Sequence, residues 1–329
     1  MNQALSRTLS QSLSRTLVSF FALLILQPAV FARTEIKIAV GRNPDFVAVN
    51  SATNMIYSSN STQGTVSVID GATNTPAATI SVGGFPQGIA VNPATNQIYV
   101  ALFNGLSSTV SVIDGASNTV VNSIPVPGAE YVAVNAGTNR IYISASNNTV
   151  QVIDGSSNTV TATISFGDVL EELAVDATRN LVYVAVVGAP PTIGVIDGAK
   201  NAVVNTFAVS KGLSLVGVAV DPSLNQIYAS DISKMDLFVI DGATGSVTAT
   251  IGLTGAGDPK YVALGVGHQV LVSDASPGRG RLFFVNGNTK SLTGSIPLTY
   301  DPWGVAVNSV TKEIYVALSS GTFVTAIAP

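Results

Sequence analysis

The sequence predicts an all-β fold made of one unit repeated seven times, and three observations carry that prediction. A short apolar core, [VIL]-A-V-[ND], recurs with starts at Val47, Ile89, Val132, Leu173, Val218, Val262 (as V-A-L-G) and Val305, in steps of 41 to 45 residues. Each unit divides into four short runs of β-type residues; in the second unit these cover 89–91, 98–101, 110–113 and 120–126. Turn formers such as N-P-A-T-N and D-G-A-S-N separate the runs, and no stretch beyond the N-terminal segment has a helical apolar stripe. Four strands per period of this length is the signature of a β-propeller. Seven periods predict a seven-bladed propeller of four-stranded antiparallel blades.

The first strand of each unit is Ala- and Val-rich, which suits the innermost strand, where blades converge and bulk cannot be packed. The second strand brings Tyr57, Tyr99, Tyr142, Tyr183, Tyr228 and Tyr315, with Leu271 in the sixth unit. A tyrosine repeated in this way reads as blade-to-blade packing with each hydroxyl on a local partner. Asn50, Asn92, Asn135, Asp176, Asp221 and Asn308 end the first strands, and Asp70, Asp114, Asp154, Asp197 and Asp241 precede glycine in the third-to-fourth turn, with Asn286 in the sixth unit. Short Asx side chains close tight turns on their own backbone, so these are scaffold positions.

The last unit stops short of a fourth strand, while the segment from Glu35 to Val40 precedes the first unit as a spare one. E-I-K-I-A-V-G-R-N-P parallels A-T-I-S-V-G-G-F-P-Q of the following repeat. The N-terminal strand is therefore expected to complete the last blade and close the ring, pairing an edge that would otherwise stay open.

Residues 1–32 stand apart: Arg7 and Arg15, an apolar run from Leu17 to Leu26, then Val30-Phe31-Ala32. This pattern reads as an export signal cleaved after Ala32, leaving one propeller domain over 33–329 with no transmembrane segment. The expected location is periplasmic, cell-surface or secreted. Removing the signal leaves 13 basic against 19 acidic residues, a balance that argues against nucleic-acid binding. The oligomeric state is open.

The run V-A-V-N-x-x-T-N-x-I-Y-V, then T-V-S-V-I-D-G-x-x-N-T-V, then T-I-x-V-G resembles the YVTN-type β-propeller repeats of exported bacterial and archaeal surface-associated proteins. The likeness spans nearly all of 35–327, although Tyr-Val-Thr-Asn itself never occurs and the sixth unit departs most. It implies the propeller fold and binding or surface roles, with no catalytic set to carry over.

In antiparallel blades the repetitive first-to-second and third-to-fourth turns share one face. The opposite face carries the second-to-third loops and the blade connections, which vary, and specificity is expected there. The position two before each first strand is expected to ring the channel mouth: Asp45, Gln87, Glu130, Glu171, Val216, Lys260 and Trp303. Glu172, Asp168, Phe46, Tyr131, Lys211, Asp258 and Tyr261 lie in the neighbouring segments. Ligand binding is assigned to Asp45, Gln87, Glu130, Glu171, Glu172, Lys260 and Trp303. Adjacent carboxylates admit a hard cation such as Ca²⁺; no other cofactor is indicated.

One histidine, His268, and no cysteine rule out multi-His copper or haem sites and thiolate chemistry. His268 falls in a turn of the scaffold face, as a surface or capping residue. No glycine-rich phosphate loop occurs. Three functions remain, of which one is a purely structural role in surface layers. The first is an exported, non-catalytic binding or scaffold propeller that engages a protein, glycan or cell-envelope partner through its variable face. The alternative is a metal-dependent, Ca²⁺-type hydrolase or lyase using Glu130, Glu171 and Glu172.

Overall fold

The computed structural model describes residues 33–209 and 214–329. The expected export signal and Lys211 lie outside the described residues. Seven four-stranded antiparallel sheets form the propeller. Blade 1 runs from the innermost strand outward as Pro44–Asn50, Met55–Asn60, Thr65–Asp70 and Thr75–Ser81, and the next five blades repeat this order along the chain. Innermost strands of neighbouring blades touch around the whole ring, blade 7 against blade 1 included. Among the described residues no helix is long and apolar enough to cross a membrane.

Blade 7 is shared between the chain ends, as the spare-strand pattern predicts. Pro302–Val307, Ile314–Leu318 and Phe323–Ile327 supply three strands, and Glu35–Ala39 adds the outermost in the register Glu35↔Ile327 to Ala39↔Phe323. Four of its five residues are exposed, while Ile38 is buried between blades 7 and 1. That single inward residue fixes the register, because a one-residue slip would turn Ile38 to solvent.

The core lies between blades rather than within them. Each apolar cluster joins neighbouring sheets; Tyr99, Val110 and Val112 of blade 2, for example, pack on Ile141, Ile143 and Ile153 of blade 3. All six repeated tyrosines are fully buried. Their hydroxyls divide in a way that the expectation of a local partner for each one did not foresee. Tyr99, Tyr228 and Tyr315 donate to Gln97, Gln226 and Glu313, two residues upstream. Met55, Arg140 and Leu181 stand at that position beside Tyr57, Tyr142 and Tyr183, whose hydroxyls have no partner among the described residues. An acceptor two residues back on the same strand face decides the difference.

The scaffold-face Asx residues do more than close turns. Asn50 Oδ1 accepts from Ala52 N–H, as expected of an Asx turn, and Asn50 Nδ2 donates across the blade boundary to Asn96 Oδ1 at 2.7 Å. The same bridge joins Asn92 to Asn139, Asn135 to Asn180 and, over the ring closure, Asn308 to Asn54. The receiving asparagines hold φ between 52° and 56°, a left-handed conformation that asparagine tolerates well. Between blades 5 and 6 both partners change together: Asp221 Oδ2 meets His268 Nδ1 at 2.7 Å, and His268 has the same left-handed backbone, φ 63°. His268 is thus an inter-blade link rather than a surface or capping residue.

Candidate functional site: the plugged mouth of the axial channel

Each innermost strand begins at the variable face, and each begins with a register shift, between Pro44 and Phe46 in blade 1 and at the matching point in the other six. A bulge re-aims the side chains before it. Serines on the second strand take up N–H groups that the bulge frees from the ladder: Ser59 for Phe46, Ser230 for Gly217 and Ser273 for Tyr261. The residue immediately before the A-V core thereby reaches the axis. Around the ring these residues are Phe46, Gly88, Tyr131, Glu172, Gly217, Tyr261 and Gly304.

Large residues and glycines share this layer by complementarity. A Cβ on Gly88 would lie 2.7 Å from the Tyr131 Cα, one on Gly217 2.9 Å from the Tyr261 Cα, and one on Gly304 2.7 Å from the Phe46 Cα. Each glycine lets the next blade's backbone come close, and that next blade carries an aromatic ring. Phe46 meets Tyr261 edge-on with centroids 4.7 Å apart and Tyr131 at 5.7 Å, and Trp303 leans on Tyr261 at 5.8 Å. Phe46, Tyr261 and Val216 are buried. These side chains plug the axis beneath the variable face.

Above and beside the plug lie the expected mouth residues, in different states. Tyr131 Oη donates to Glu171 Oε2 at 2.8 Å. Burial raises the Glu171 pKa, opposed by that hydrogen bond and by Lys260. Burial and the charge of Glu171 push Glu130 up to about 7. Lys260 Nζ sits 5.0 Å from the Trp303 ring centroid and 3.5 Å from Asp258 Oδ2. Gln87 is half-buried on the same rim. Asp45 is 7 % exposed, and Ser319 of blade 7 donates to its Oδ1 at 2.8 Å, so it ties blade 7 to blade 1. Its pKa is raised by burial.

Glu172 stands apart from the rim. Its side chain reaches out from blade 4, Oε2 accepts the N–H of Val218 of blade 5 at 3.0 Å, and the backbone N–H of Val262 of blade 6 also favours its ionised form. Burial raises its pKa to about 8, with a further contribution from Glu171. Beside it lies a cavity of about 170 Å³ walled by Phe46, Gly88, Tyr131 and Gly304 with Val47, Ile89, Val132 and Val305. Among the described residues no three His, Cys, Asp or Glu side chains gather as a metal-ligand group.

Reading the rim two positions before the core therefore found Glu130, Glu171, Lys260 and Trp303 together. It gave no weight to the alternation of large residues with glycine one position later, although F-V-A-V, G-I-A-V, Y-V-A-V, E-L-A-V, G-V-A-V, Y-V-A-L and G-V-A-V stand in plain view.

No protein-family model matches the sequence, and no curated protein matches it. Among solved structures the chain is similar to Kuenenia stuttgartiensis hydrazine synthase, with a TM-score of 0.78 over 94% of this chain and 99% of that one. The identity is 16%, so the likeness concerns the fold alone. The seven-bladed propeller is thereby supported from outside the sequence. The YVTN-type repeat family is a resemblance of motifs.

Proposed function

We propose that this protein is an exported, non-catalytic binding propeller whose variable face engages a protein, glycan or cell-envelope partner, as the YVTN-type resemblance implies. The observation that carries this reading is the contrast between the faces. One is stitched by repeated asparagine bridges. The other gathers Glu130, Glu171, Lys260 and Trp303 over a closed aromatic floor. On that same face Leu106 is 92% exposed, Phe85 55% and Val169 50%. Exposed apolar side chains among charged neighbours form the pattern of a docking surface. A floor closed by rings favours contact with a surface over threading of a chain.

The test is retention of purified protein on isolated cell envelopes of the producing organism and on a glycan array. Trp303→Ala with Lys260→Ala, and separately Leu106→Ser with Phe85→Ser, should lose retention. Val310→Ser, an exposed change on the scaffold face, should keep it. Equal retention by all variants would overturn the assignment to the variable face.

A second reading, the Ca²⁺-type hydrolase or lyase, is favoured by Glu130, whose carboxyl titrates at about 7 beside Glu171, in the range of a general acid at neutral pH. A melting temperature indifferent to both EDTA and added Ca²⁺ would remove it.

A further inference from the structure

The axial cavity is a separate chemical environment from the rim. Its lining is mixed: Phe46 and Tyr131 bring aromatic rings, the strands at Val47, Ile89, Val132 and Val305 pass beside it with their side chains in the inter-blade clusters, and Glu172 is the one carboxyl group among its described lining residues. An anion is disfavoured by that carboxylate. A hard metal ion needs several oxygen ligands at once, and here one carboxylate already serves two backbone N–H groups. A small organic cation matches this mixed lining. Its charge meets Glu172 and its alkyl surface meets the rings of Phe46 and Tyr131, the usual recognition of alkylated ammonium groups. The volume, about 170 Å³, corresponds to roughly six water molecules at ~30 Å³ each, which suits an ion of tetramethylammonium size.

Access comes from the scaffold face. Ala90, Val91, Ala174, Val175, Ala306 and Val307 remain partly exposed along the channel, whereas Phe46, Val216 and Tyr261 close the other end. Lys260, over Trp303 at that closed end, adds a positive charge that repels a cation approaching from the variable face.

We propose that the axial cavity is a receptor for a small organic ammonium ion, held between the Glu172 carboxylate and the aromatic side chains of Phe46 and Tyr131. The site is independent of the docking surface assigned above. Binding is linked to proton release, because Glu172 must ionise to pair with the cation and burial raises its pKa to about 8. The ionisable groups around it among the described residues are Glu171 on its own strand, Glu130 and Tyr131 from blade 3, Lys260 and Tyr261 from blade 6 and Asp45 from blade 1.

The experiment uses tetramethylammonium chloride as probe, with sodium chloride at equal ionic strength and neopentyl alcohol as the uncharged isostere. Binding is read by calorimetry and by melting temperature. The wild type should bind tetramethylammonium saturably, roughly tenfold more tightly at about pH 9 than at about pH 6, and respond little to the alcohol. Glu172→Gln, which keeps an oxygen acceptor for Val218 and Val262, should bind roughly tenfold more weakly at the higher pH. Gly167→Ala, with open space around its Cβ, should bind as the wild type does. Calorimetry of the wild type near neutral pH in buffers of different ionisation enthalpy should report proton release, a readout that survives if Glu172→Gln folds poorly. Equal binding by wild type and Glu172→Gln, equal response to the alcohol, or no proton release would each overturn the proposal.

Discussion

Glu130 and Glu172 hold protons in a pH range where carboxyl groups of the unfolded chain have lost them. Their pKa values stand at about 7 and about 8 against an ordinary 4.5, in both cases mainly through burial. The folded chain therefore binds more protons than the unfolded chain between those values, and stability must fall as pH rises. The contribution is intact below about pH 4.5; Glu130's share is spent near 7 and Glu172's near 8. Denaturant unfolding across pH 4.5 to 8.5 should show that decline, and Glu172→Gln should flatten its upper part. An unchanged slope in the variant would show that Glu172 is ionised in the fold. The glycines of the axial layer give a second prediction. Gly304→Ala places a Cβ 2.7 Å from the Phe46 Cα, and Gly217→Ala drives one into the Lys260 carbonyl oxygen. Backbone cannot step aside cheaply, so each should cost about 1–3 kcal/mol. Gly167→Ala, with open space around its Cβ, should change stability by less than about 0.5 kcal/mol.

At the scale of elements, the seams between blades are held by paired side chains that change in concert. Asn50, Asn92, Asn135 and Asn308 donate to left-handed asparagines of the next blade. At the seam between blades 5 and 6 the donor has moved to His268 and the acceptor to Asp221. Restoring one partner alone, as Asp221→Asn or His268→Asn, should lose about 1 kcal/mol, the usual net worth of such a bond. The double variant should recover most of it, because it rebuilds the asparagine bridge of the other seams. Additive losses in that double-mutant cycle would mean that the two residues do not act as a pair. The closing strand Glu35–Ala39 is the other element with a defined consequence. Deleting residues 33–40 removes Ile38 from the seam, worth about 2–5 kcal/mol, and bares the edge of Phe323–Ile327. Light scattering on heating should show aggregation at a lower temperature than in the parent; a deletion variant as soluble and as heat-stable as the parent would refute the closure.

For the whole molecule, the two ends of the channel differ because one repeat position diverges while its neighbours do not. The scaffold end keeps Ala and Val in most blades and stays accessible. The variable end closes where Phe46, Tyr131 and Tyr261 fill the space that Gly304, Gly88 and Gly217 leave. Much of this was legible in the sequence. The A-V core located every innermost strand, and E-I-K-I-A-V located the closing one. The tyrosines read correctly as inter-blade packing, yet only the residue two places upstream tells which hydroxyls find an acceptor. Asp45 illustrates the limit. Strand alternation places it with Glu130 and Lys260, but Ser319, from a blade 274 residues away in the chain, draws its carboxyl into the seam.

Local order in this protein follows from short-range chemistry: β-type runs, Asx and glycine turns, and a period that leaves seven equal faces to bury. Those are properties of neighbours along the chain, and the sequence by itself determined the propeller, its blade count and its closure. The axial site arises from seven bulges that each turn one residue toward a common line, four with a side chain and three as glycine, with a carboxylate from blade 4 meeting the backbone of blades 5 and 6. Only the tertiary structure decided it, because a bulge depends on how two strands register, and the meeting of residues from all seven blades depends on the ring being closed.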